Sequence, residues 1–275
     1  MAGAVHLESP DVRALYDKWA DTYPGVAHNP LMRLEQEIVE SILMTVRPRR
    51  ALDVGTGSGR YLPILARAGA AKVVGADFSM AMLRRVARTA TGSDPSMLSG
   101  PGKSALGSDP IINSGLGKSA LGSDPTINSG PGESALGSDP LVCADARRLP
   151  FARHSFDLVN ASLMVGDVTD LPAWTAEMAR VLGRGGHLVY SDFHPSWTEH
   201  GWKRTFRDRS GAAHELAFAA HQIEDHLAAL DAAGLRPTAI REPRFRDDSD
   251  PAVKAFRRRW RNPPVVVVFH AVKQP

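Results

Sequence analysis

The chain holds one cysteine, Cys143, in 275 residues. A lone thiol excludes an intramolecular disulfide framework and a zinc site built from several cysteines, so a reducing compartment is expected. Long apolar runs are missing as well. The longest aliphatic stretch, Val265 to Val268, is far shorter than the roughly 20 residues of a membrane helix, and no membrane span is expected. Met1 to Glu8 has neither a basic start nor an apolar run, so no secretory leader is read there and the chain reads as cytoplasmic. No charge of one sign dominates. Lys and Arg number 33 against 30 Asp and Glu, a net of +3 that points to neither nucleic acid nor an anionic membrane as main partner. What is present is an ordinary globular mix, 43% hydrophobic, enough for a sizeable core in one large domain or two small ones.

Repetition interrupts the chain. Gly92-Ser93-Asp94-Pro95 recurs from Gly107, Gly122 and Gly137, so residues 92–140 are a low-complexity tandem-repeat insertion with a fifteen-residue period. The stretch has no aromatic residue and few aliphatic ones, too little apolar surface to offset chain entropy, and disorder is expected there. It carries a net charge of −3, leaving the rest at +6 and tilted toward an anionic substrate.

Outside the repeats, short aliphatic runs alternate with segments of helical period. Strands are expected at 50–54, 72–76, 141–144, 156–160, 187–191, 235–240 and 265–269. Helices are expected at 61–68, after Ser79, along Leu171, Trp174, Met178 and Val181, and along Ile223, Leu227 and Leu230. Residues 12–23 and 32–46 form two further helices ahead of the first strand. Regular alternation predicts an α/β fold with a mostly parallel sheet covered on both faces.

The strongest local signal is Leu52-Asp53-Val54-Gly55-Thr56-Gly57-Ser58-Gly59-Arg60. Glycines at alternate positions after a buried strand let a ligand lie against bare backbone, although the same pattern also serves as a plain strand-to-helix turn. Asp77 ends the second strand, where a carboxylate can accept from both hydroxyls of a ribose. The dinucleotide fingerprint requires a third glycine where Arg60 stands, and Asp53 would repel a pyrophosphate while suiting an ammonium group. No Gly-Lys-Ser/Thr ends the loop, so a phosphate loop is also disfavoured. A cationic amino-acid nucleoside is the better match.

These residues resemble the class I S-adenosylmethionine-dependent methyltransferases, in the small-molecule branch similar to ubiquinone and menaquinone biosynthesis enzymes. The resemblance runs from Tyr16 to about Ile240 and implies a Rossmann-like seven-stranded sheet with its last strand antiparallel, S-adenosylmethionine as cofactor and no metal. It places Gly55, Thr56, Gly57 and Gly59 around the methionine part, with Asp53 near the ammonium. It places Asp77 on the ribose and Phe78 near the adenine. Ala144-Asp145-Ala146 looks like the segment after strand three, where Asp145 accepts from the adenine amino group and the Ala146 amide faces the ring. Asn160 and Ser162 fall beside the sulfonium, and Arg184 stands where the family usually has proline. Tyr16, Trp19 and Tyr23 resemble the family's N-terminal helix that closes over the cofactor, and the same spacing also suits an amphipathic helix with aromatic packing. The implied organisation is one methyltransferase domain over 1–275, with a helical cap at 1–48 and a substrate lid at 196–220.

Methyl transfer from an activated sulfonium needs in-line approach, exclusion of water and sometimes a base. His194, after strand five, is the candidate base, against a histidine that merely closes the turn; His214 and His221 rank below it. Nucleic-acid acceptors are disfavoured. Asn160-Ala161-Ser162-Leu163 lacks the Pro-Pro-aromatic turn of adenine methylation, and Cys143 is expected as a buried apolar residue of strand three rather than a thiolate. A small molecule methylated at oxygen or an activated carbon is the expected acceptor. A cofactor-binding protein acting through a partner without turnover is the alternative, and the oligomeric state is open.

Overall fold

Buried aliphatic runs between turn residues become the strands of one sheet, and amphipathic segments become the helices that cover it. The computed structural model describes residues 10–90, 140–246 and 249–275. The expected disorder of the 92–140 repeats therefore falls outside the described residues, apart from Pro140.

Helix α1 (Pro10–Trp19) leads into α2 (Pro30–Val46). Asn29 caps α2, its Oδ1 accepting from Met32 N at 2.8 Å, with Pro30 opening the first turn. The first helix stops at Trp19, short of the expected Tyr23, because Pro24 disfavours helical backbone at the residue before it.

Strands β1 (Arg50–Val54), β2 (Lys72–Asp77) and β3 (Leu141–Cys143) alternate with α3 (Leu62–Arg67) and α4 (Met80–Ala90). There follow β4 (Phe156–Ser162), α5 (Leu171–Val181), β5 (Leu182–Phe193), the hairpin β6 (Arg204–Arg207) and β7 (Ala213–Leu216), α6 (Ile223–Ala232), β8 (Leu235–Arg241), α7 (Pro251–Trp260) and β9 (Val266–Lys273). The order in the seven-stranded sheet is β3-β2-β1-β4-β5-β9-β8. Strand β9 runs antiparallel to both neighbours while the other pairs are parallel. The sheet is Rossmann-like, with its last strand reversed.

Other elements depart from the sequence reading, among them the unexpected helix α7. Gly183 to Gly186, ahead of the strand expected at 187–191, falls within β5, where the register jumps from Phe156↔Leu182 to Leu158↔His187 and the glycine-rich residues bulge. The 196–220 stretch contains the β6–β7 hairpin, which has no signal beyond the short alternation Trp202, Arg204, Phe206.

Alternation along the central strands sends side chains to two cores. Leu188 and Tyr190 of β5 join Trp174 and Met178 of α5 and Leu230 of α6 on one face. Val189, Val266 and Val268 join Val39 and Leu43 of α2, Leu62 and Leu65 of α3 and Phe256 of α7 on the other. Full burial of such a side chain is worth about 1.5–3 kcal/mol. This double layer fixes where the strand ends lie. The order reverses direction between β1 and β4, so the loops after β1, β2, β3 and β4 open on one crevice. Among the described residues, no helix is long and apolar enough to cross a membrane.

Candidate active site

The loop after β1 is shaped by its glycines. Gly55, Gly57 and Gly59 have φ of +66°, +55° and +82°, in the left-handed region where a side chain is strained. A Cβ on Gly55 would also lie 2.8 Å from Met164, so this turn admits only hydrogen. Below it, Asp53 is buried and does not line the cavity. Its Oδ2 accepts from Thr56 Oγ1 at 2.7 Å and its Oδ1 from Asn160 Nδ2 at 2.8 Å. Burial pushes the Asp53 carboxyl up to about 6, against the pull of these two hydrogen bonds. Thr56, Gly59 and Asn160 stay off the cavity wall as well. The resemblance places these four on the cofactor; in the structure Asp53 ties Thr56 of its own loop to Asn160 of β4.

A cavity of about 500 Å³ opens above the loop. Gly55 and Gly57 line it after β1, Asp77 and Phe78 after β2, Asp145 and Ala146 after β3, and Ser162 at the end of β4. Asp77 accepts from Gly57 N at 2.8 Å and from Ser79 N at 2.9 Å, which joins the glycine loop to the start of α4. Burial pushes its carboxyl up to about 6, against the Ser79 and Gly57 amides, and the nearby Asp167 charge adds to the rise. Asp145 is more open and forks to Arg147 at 2.8 Å, whose hydrogen bonds hold its carboxyl below the ordinary value.

The N-terminal segment closes one side. Tyr16 and Tyr23 line the cavity, and Trp19 stacks on Phe206 of β6 at 4.8 Å between ring centroids. Arg85 of α4 donates to the Ala20 and Asp21 carbonyls at 2.9 and 3.0 Å, and Ser79 Oγ donates to Asp17 at 2.6 Å, so α4 holds the cap in place. Trp19 itself lines a second, smaller pocket of about 80 Å³ that shares Tyr16, Tyr23 and Leu163 with the larger one.

Two residues absent from the sequence reading join the N-terminal helix, the β6–β7 hairpin and the sheet. Asp167, in the turn after β4, lines the larger cavity and accepts from Tyr16 Oη at 2.6 Å. It is also paired with Arg204 of β6, a buried guanidinium held charged because Asp167 and Tyr16 outweigh the opposing effect of burial. No motif marks Asp167. The alternation around Arg204 places it on the same face as Trp202 and Phe206, which was the available sign that this charge is buried.

His194 is not on the wall of either cavity. Its Nε2 meets Glu242 at 2.8 Å and its Nδ1 accepts from Ser196 N at 3.1 Å, so both ring nitrogens are spent in closing the turn after β5. His214 is bound to Asp208 at 2.7 Å within the hairpin, and His221 to the Val168 carbonyl at 2.6 Å. Cys143 is exposed rather than buried, because β3 is the sheet edge.

Against this geometry, residues 27–239 match a family model described as a methyltransferase domain. The chain belongs to the methyltransferase domain family. A malonyl-[acyl-carrier protein] O-methyltransferase of Halorhodospira halophila is 27% identical over 78% of this methyltransferase chain and 59% of its own length. A demethylmenaquinone methyltransferase of Mycobacterium is 50% identical over a shorter stretch, 19% of this chain and 23% of that one. The chain thus spans about three fifths or less of these curated relatives. Among solved structures, an S-adenosylmethionine dependent methyltransferase from Mesorhizobium loti superposes with a TM-score of 0.59 at 19% identity, covering 87% of this chain and 98% of that one. The cofactor of the family is S-adenosylmethionine, and the larger cavity of this member suits it. Bare glycine backbone and an aromatic ring at Phe78 match a flat nucleoside, and the three lining carboxylates outnumber the two lining guanidinium groups, Arg13 and Arg147.

Proposed function

We propose that the larger cavity holds S-adenosylmethionine and that the enzyme transfers its methyl group to a small-molecule acceptor, at oxygen or an activated carbon. The single observation that carries this reading is Asp77. It stands buried at the end of β2, twenty residues beyond the Gly57 amide it accepts from, with no ion-pair partner among the described residues. It is thus free to accept from ribose hydroxyls. Tyr16, Tyr23 and Phe78 enclose the nucleoside, and Asp145 and Ala146 meet the adenine. Gly55, Gly57 and Ser162 face the methionine part, with Asp53, Thr56, Gly59 and Asn160 bracing them from below.

When bound, the cofactor supplies an electrophilic methyl group on a sulfonium, and the acceptor's electron pair takes it while sulfur keeps the bonding pair. The protein contributes orientation and exclusion of water. Residues 1–48 act as the cap and 196–220 as the lid of one domain spanning 1–275, joined where Tyr16 and Arg204 meet on Asp167. Arg204 keeps that junction charged yet closed, which removes water from the place where the methyl crosses. The likeness to the O-methyltransferase of Halorhodospira halophila supports oxygen as the acceptor atom. Asn160-Ala161-Ser162-Leu163 at the end of β4 and the edge position of Cys143 support an acceptor other than a nucleic-acid base.

Calorimetry with S-adenosylhomocysteine tests the reading. Asp77→Ala removes the ribose acceptor and should weaken binding at least roughly tenfold, the loss of one or two hydrogen bonds to a charged group. Equal affinity in parent and variant would remove the basis for the assignment.

A further inference from the structure

The smaller pocket borders the larger cavity through Tyr16, Tyr23 and Leu163, so whatever fills it lies beside the cofactor. Most of its other wall is apolar: Trp19 of α1, Leu31 and Met32 from the start of α2, Phe193 at the end of β5 and Trp197 beyond it. Its polar groups are committed elsewhere. Arg204 is paired with Asp167, which also accepts from Tyr16 Oη at 2.6 Å. Trp197 Nε1 donates to the Val265 carbonyl at 2.8 Å, Asn29 Oδ1 caps α2, and His28 bonds the Val26 backbone. Such a wall favours hydrocarbon over an ion, whose lost hydration it would not replace.

Leu163 stands between the two spaces, and its backbone is strained. It follows Ser162, the last residue of β4, with φ of +55°, in the left-handed region that disfavours any residue with a Cβ. The strain is held by a buried network. Leu163 N–H donates to the Ser191 hydroxyl at 2.9 Å and to its carbonyl at 3.2 Å, and Ser191 Oγ donates to the buried Glu35 at 2.8 Å. Thus β5 and α2 together fix an isobutyl group on the wall of both cavities. Backbone strain kept in place by its surroundings is characteristic of ligand-contacting positions.

We infer that the smaller pocket receives a short alkyl arm of the methyl acceptor, with Leu163 as the divider that sets how far this arm lies from the cofactor. This rests on the larger cavity being the cofactor site. Room fixes the length of the arm. About 80 Å³ is roughly half the 150 Å³ of a cavity that admits the six carbons of benzene, so the pocket takes about three or four carbons. The atom to be methylated then lies at the junction formed by Tyr16, Tyr23 and Leu163.

The experiment titrates the full chain, saturated with S-adenosylhomocysteine, with 1-butanol, 1,4-butanediol and 1-hexanol by saturation-transfer NMR. The parent should bind 1-butanol at least roughly fivefold more tightly than the diol, whose second hydroxyl would enter the apolar pocket, and 1-hexanol no more tightly than 1-butanol. Thr205 of β6 lines the smaller pocket and not the larger. Thr205→Phe should therefore weaken 1-butanol at least about fivefold while S-adenosylhomocysteine affinity stays within about twofold. Leu31→Ala lengthens the pocket and should make 1-hexanol bind about threefold or more tighter than 1-butanol. If one variant no longer binds S-adenosylhomocysteine, the other decides. Equal binding of 1-butanol and the diol by the parent, an unchanged 1-butanol affinity in folded Thr205→Phe, or an unchanged chain-length preference in folded Leu31→Ala would overturn the alkyl assignment and leave the cofactor site standing. Failure of the parent to bind S-adenosylhomocysteine would instead overturn the cofactor reading, and this inference with it.

Discussion

Gly55 shows how one residue serves both fold and site. Its φ of +66° is strained for any side chain, and an added Cβ would meet Met164 at 2.8 Å from a second direction. Gly55→Ala should lower the unfolding free energy by about 1–3 kcal/mol in urea titration, and should weaken S-adenosylhomocysteine binding as the loop shifts. A stable variant with parental affinity would mean that Met164 yields easily. The glycine pattern was legible because the constraint is local: a backbone angle and a close approach. Asp53 was legible as a special residue but not in its role, since only the fold brings Asn160 from β4 to its Oδ1. His194 had the right residue type after the right strand, yet Glu242 and Ser196, remote or unremarkable in sequence, turn it to a structural task.

At the scale of elements, α4 and β3 explain how a long repeat can interrupt a catalytic domain. The start of α4 is held at the cavity by Asp77 and Ser79, and the end of β3 leads into Asp145 and Ala146. The other ends of both elements, Ala90 and Leu141, therefore lie away from the cofactor face. Pro140 still matters, because its carbonyl accepts from Gly75 N at 3.2 Å. Replacing residues 92–139 by a short Gly/Ser linker, with Pro140 kept, should leave S-adenosylhomocysteine affinity within about twofold by calorimetry. A tenfold loss would show that the repeats contact the site. Period and turn chemistry made the sheet and its covering helices legible. The β6–β7 hairpin was not, because its stability comes from contacts such as Trp19 on Phe206 rather than from a pattern within itself.

The whole molecule stores several carboxyl groups out of water, and this sets its response to pH. Burial pushes Asp192 up to about 7, against hydrogen bonds from Phe193 and Gly166 and the Arg204 charge, while Asp167 adds to the rise. A carboxyl raised in the folded state holds a proton that the unfolded chain has already lost. Its contribution to stability is therefore full below about pH 4 and declines as pH rises through 7. Buried histidines act the other way. His226, 3.6 Å from Asp192, is pushed down to about 3 by burial first, and His270 to about 4, so each adds stability as pH climbs to about 6.5. The difference between Asp192→Asn and the parent isolates the carboxyl. The stability of the variant relative to the parent should increase by roughly 2–4 kcal/mol between pH 4 and 8, followed by urea midpoints at each pH. A difference independent of pH would show Asp192 to be ionised throughout.

The strands of the main sheet, the helices between β1 and β8, the glycine turn and the acid at the end of β2 were determined by the sequence alone, because each depends on residues within a few positions of one another. The tertiary structure decided what the chain cannot encode locally. It placed Arg204 on Asp167 across 37 residues of sequence, set Tyr16 against the same carboxylate from 151 residues away, and turned His194 aside. Charges and hydroxyls have no periodicity that reveals their partners, so only the packing of the N-terminal helices, the hairpin and the sheet could bring these groups to one place.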